Sequence, residues 1–112
     1  MSTETEFRKL EADIKRLCEI WYRVISADHH KDHDCHWYIQ KRYSYAGELS
    51  YEVQHFGYLI GETSTSFNSS IEAHRYLRRK IAGVLLRESE DGSDILLDIV
   101  EPELEFLKEC LL

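Results

Sequence analysis

His36-Trp37-Tyr38-Ile39-Gln40-Lys41-Arg42-Tyr43, followed five residues later by Leu49-Ser50-Tyr51-Glu52-Val53-Gln54-His55, decides the fold. Both runs have a period of two, the signature of a half-buried strand. In the first, Trp37, Ile39, Lys41 and Tyr43 point one way, and His36, Tyr38, Gln40 and Arg42 the other. In the second, Leu49, Tyr51, Val53 and His55 share a face. Matching the buried faces pairs Trp37 with His55, Ile39 with Val53 and Tyr43 with Leu49, because a slip of one residue would bury Gln40 or Glu52. Ser44 to Glu48 is then the loop, with Gly47 at the position that needs a left-handed backbone.

The same reasoning, carried onward, reads Phe56-Gly57 as a two-residue turn and Tyr58 to about Thr63 as a third strand. His55 would then face Tyr58, and Val53 would face Ile60. An apolar row Ile39-Val53-Ile60 results, and Lys41, Tyr51 and Glu62 form a second row. The opposite face carries Arg42, Glu52 and Gln54, partly solvated, together with Phe56 and Leu59.

Helical patterns flank the strands. Phe7, Leu10, Ile14, Leu17, Trp21 and Val24 recur at spacings of three and four, with Cys18 and Ile25 widening the stripe. Thr3 and Glu6 read as a capping box, and the helix is expected from about Glu4 to about Ser26. Ser64 to Asn68 reads as a loop. Ser69 and Glu72 form a second capping box that opens a helix to about Arg87, with Ile71, His74, Leu77, Ile81, Val84 and Leu85 on its apolar face. Asp91-Gly92 marks a turn, and Ser93 can cap a last helix that Pro102 kinks or restarts. A short strand at 95–100 is the second choice there. The predicted fold is one α+β domain over residues 1–112, in the order α-β-β-β-α-α. A three-stranded antiparallel sheet has helices packed on one face.

Composition bounds the function. The 112 residues suit a single domain, and 43% apolar with 31% charged residues suits a globular one. A net charge of -7 argues against nucleic acid as a partner. No apolar run approaches the roughly 18 residues of a membrane span. The acidic N-terminus has no secretory pattern, and Cys18, Cys35 and Cys110 show no CxxC spacing, so a cytoplasmic chain with free thiols is expected. The charge is uneven: residues 67–87 carry +4 and residues 88–112 carry -8. Pairing between the basic middle helix and the acidic last one is expected to offset this. That pairing also makes Arg75, Arg78, Arg79 and Lys80 a solvated helix face in preference to a phosphate site.

Three features bear on chemistry. The first is His29-His30-Lys31-Asp32-His33-Asp34-Cys35-His36. Imidazole and thiolate are the donors zinc prefers, and His29, His33, Cys35 and His36 form a candidate zinc site with Asp32 and Asp34 as acceptors behind the imidazoles. The segment matches no established zinc spacing, and a solvated connector is the plainer reading. Cys35 and His36 make a poor nucleophile and base, since neighbours on a strand point to opposite faces. The second feature is Trp37, His55 and Tyr58, which would floor a small-ligand pocket if the predicted registers hold; a hydrogen-bonded core histidine is the plainer alternative. The third is the concentration of aromatic residues between Trp37 and Tyr58, a partner-binding patch wherever it is exposed. Asp91-Gly92-Ser93-Asp94 fails as a calcium loop, because Arg87 and Asp98 would fall where that motif needs Asp and Glu.

With no catalytic constellation, an enzyme ranks below a binding role. The expectation is a small accessory domain that binds a protein partner or itself, as a homodimer. Zinc binding and a small-ligand site are the alternatives.

Overall fold

A computed structural model describes residues 3–27, 36–56, 63–91 and 98–112. The elements are α1 (Thr3–Ala27), β1 (His36–Tyr43), β2 (Leu49–Phe56), β3 (Thr63–Phe67), α2 (Ser70–Asp91), a 3-10 turn (Glu101–Glu103) and α3 (Leu104–Cys110). The predicted α+β class and element order hold. Among the described residues, no helix is long and apolar enough to cross a membrane. Two compact units emerge: Asp32–Leu77, which holds the sheet, and Met1–Lys31 with Arg78–Leu112, which is helical.

In the sheet unit the strands run antiparallel in the order β1-β2-β3. The first hairpin has the predicted register, with Trp37 opposite His55, Ile39 opposite Val53 and Tyr43 opposite Leu49. Its turn is a three-residue loop closed by Gly47 N–H donating to Ser44 C=O and Ser44 N–H donating to Glu48 C=O, both at 2.9 Å. Gly47 takes φ +83°, the left-handed value this turn requires.

The second hairpin corrects the prediction. β3 is Thr63–Phe67, so His55 faces Thr63, Val53 faces Thr65 and Tyr51 faces Phe67. The stretch expected to loop is the strand, and a turn at Phe56-Gly57 is incompatible with this register. The inner rows are therefore Ile39-Val53-Thr65 and Lys41-Tyr51-Phe67. Ile60 and Glu62, which were expected in those rows, lie outside the described residues. Threonine fits a pleated strand because its branched Cβ is already restricted there, whatever its polarity suggests. The residues after β3 anchor it: the Phe67 and Tyr76 rings lie 5.0 Å apart, and the Thr65 hydroxyl donates to the Tyr76 hydroxyl at 3.3 Å. Between them Ser69 caps α2, its Oγ accepting the Glu72 N–H at 3.2 Å as the capping box predicts. His74 is satisfied by its own helix, Nδ1 donating to Ser70 C=O at 2.7 Å.

The helical unit buries Leu10, Leu17, Ile20, Trp21 and Val24 of α1 with Ile81, Leu85, Val100 and Leu107. Ile20 is fully buried, while Cys18, expected in the stripe, is exposed. Thr3 is the first residue of α1. α2 continues past Arg87 to Asp91. Residues 98–100 are helical, and Pro102 sits at the start of the 3-10 turn, after which α3 begins. Ser93, Ile95 and Leu96 lie outside the described residues. Leu111 reaches α2, where its Cδ2 would stand 3.8 Å from a Cβ added at Gly83.

Among the described residues, α1 supplies counter-charges to both the basic and the acidic segment. Glu103 pairs with Arg16 and Arg23 of α1, at 2.5 and 3.4 Å. Arg78 of α2 pairs with Asp13 of α1 at 3.0 Å. Thus α1, with acids and bases spaced along it, meets both the acidic C-terminal segment and the basic helix. Arg16 also lies over the Phe106 ring at 4.0 Å.

Candidate functional site

Of the predicted zinc ligands, His29, His33 and Cys35 lie outside the described residues. His36 is the first residue of β1, opposite Phe56. Among the described residues no group of three or more His, Cys, Asp or Glu is arranged to hold a metal ion. For the predicted ligand pocket, Trp37 does stand opposite His55, but the next residue across the sheet is Thr63. Tyr58 lies outside the described residues, as do Leu59 and the turn between β2 and β3.

The feature that emerges is the free end of the β1–β2 hairpin. Its inner face is closed at Val53, which is 2% exposed, and open two pairs further on, where Leu49 is 38% and Tyr43 70% exposed. Tyr45, in the loop, is completely exposed, and Lys41 on the same face is exposed too. Alternation places Lys41, Tyr43 and Leu49 on this face. Tyr43 and Leu49 are a cross-strand pair, and the tight Ser44–Glu48 closure holds Tyr45 one step beyond them.

On the outer face Tyr38 is exposed, whereas Gln54 opposite it is buried. The Arg42 guanidinium pairs with the Glu52 carboxylate at 2.5 Å, and the Gln54 amide donates to that carboxylate. A carboxylate shared between a cation and an amide is held in place, so this partly solvated face is an ordered polar network.

A recess of about 330 Å³ lies in the helical unit, lined by Glu6, Lys9, Leu10 and Arg78. Asp13 accepts from Arg78 at 3.0 Å and from Lys9 at 3.5 Å, so both cations of the recess already face an internal carboxylate. The buried Cys110 thiol feels the same groups. Burial pushes its pKa up to about 11, Asp13 adds to this, and Arg78 and Lys9 pull the other way. A thiol so strongly protonated is a poor nucleophile at neutral pH.

The sequence reading marked the aromatic residues between Trp37 and Tyr58 as a partner-binding patch wherever exposed, without singling out Tyr43 or Tyr45 at the hairpin end. A signal was present in Tyr45: an aromatic residue in a short loop, two positions before the left-handed glycine, has no strand partner to cover it. Comparison of the chain with protein-family models, with curated proteins and with solved structures finds no match.

Proposed function

We propose that this chain is a small accessory module that works by binding protein, and that the free end of the β1–β2 hairpin is its contact surface. One observation carries the reading: a single strand face passes from buried at Val53 to open at Tyr43 and Leu49, with Tyr45 beyond them. Covering apolar surface releases roughly 25 cal/mol per Å². Tyrosines combine a large apolar ring with a hydroxyl that can bond at a rim, and they recur among the residues that dominate protein interfaces.

The test is site-specific photocrosslinking. The Tyr45 side chain is replaced by benzoylphenylalanine and the chain is irradiated in cells. A discrete protein adduct, lost when Tyr43→Ser and Leu49→Ser are added, is the expected result. Irradiation that yields only the uncrosslinked chain would refute the reading.

A further inference from the structure

We draw no further inference here: the strongest candidate, the recess of about 330 Å³ in the helical unit lined by Glu6, Lys9, Leu10 and Arg78, carries nothing because Asp13 already pairs with both its cations and nothing in the structure shows what covers it.

Discussion

Truncating neighbouring residues of α1 tests the phase of that helix. At about 100° per residue, Leu10, Trp21 and Val24 lie within about 40° of the Leu17 direction. Ile20 lies about 60° to one side and Cys18 about 100° to the other. Leu17 and Ile20 are fully buried and Cys18 is exposed, so the buried arc is turned toward Ile20. Replacing a fully buried Leu or Ile by Ala costs about 2–5 kcal/mol, through lost transfer free energy and the cavity left behind. At about 3 kcal/mol, Leu17→Ala and Ile20→Ala each lower the folding equilibrium constant by about two orders of magnitude. Cys18→Ala, at the surface, should stay within about 0.5 kcal/mol. Urea unfolding followed by far-ultraviolet circular dichroism measures all three, with the dependence on urea unchanged. A Cys18→Ala loss comparable to that of Ile20→Ala would refute the phase, and with it the assignment of α1's buried face.

Glycine substitutions should have opposite signs. Gly47→Ala meets no atom within 4 Å but must hold φ +83°, and should cost about 1 kcal/mol in thermal unfolding. Gly83→Ala adds an ordinary contact to Leu111 inside α2, and should stabilise by about 0.5–1 kcal/mol. Glu103→Gln should cost under about 1 kcal/mol and lose its effect in high salt, since Arg16 and Arg23 are half exposed. Asp13→Asn should cost more and respond less to salt, because it leaves the mostly buried Arg78 without its carboxylate. The Cys110 thiol holds its proton more tightly when folded, with a pKa of about 11 against 9.0. Its contribution is therefore full below pH 9 and is lost as the pH rises through about 11. Between those values the urea midpoint of the unmodified chain should fall further than that of Cys110→Ala.

Where the sequence repeats with a strict period, it could be read directly. The first hairpin register follows from Trp37, Ile39 and Tyr43 alternating against Leu49, Val53 and His55, and Gly47 follows from the turn that register demands. The second hairpin failed because hydropathy favoured Tyr58 to Ile60 as the strand and dismissed Thr63–Phe67. Strand residues need only one apolar face, and a five-residue strand with Thr65 and Phe67 inward meets that need with little hydrophobic signal. The same limit applies to α1, where Cys18 and Ile20 are both apolar and only packing separates them. Residue chemistry drew attention to the histidine cluster, whereas the hairpin end is a matter of exposure. A tyrosine at position 43 reads the same in the sequence whether its ring is covered or open to water.

The helical unit is assembled from two stretches of chain with the sheet unit inserted between them. Two of its ion pairs join residues 65 and 87 positions apart, Asp13 with Arg78 and Arg16 with Glu103. During synthesis, α1 therefore leaves the ribosome long before the segments it packs against. The sheet unit is continuous, and its ladders close over short loops, which carry the smaller entropic penalty. Connectivity therefore favours closure of the inserted sheet before the helices on either side of it come together. Until α2 and the segments after it have been translated, the apolar stripe of the nascent α1 stays open to chaperones.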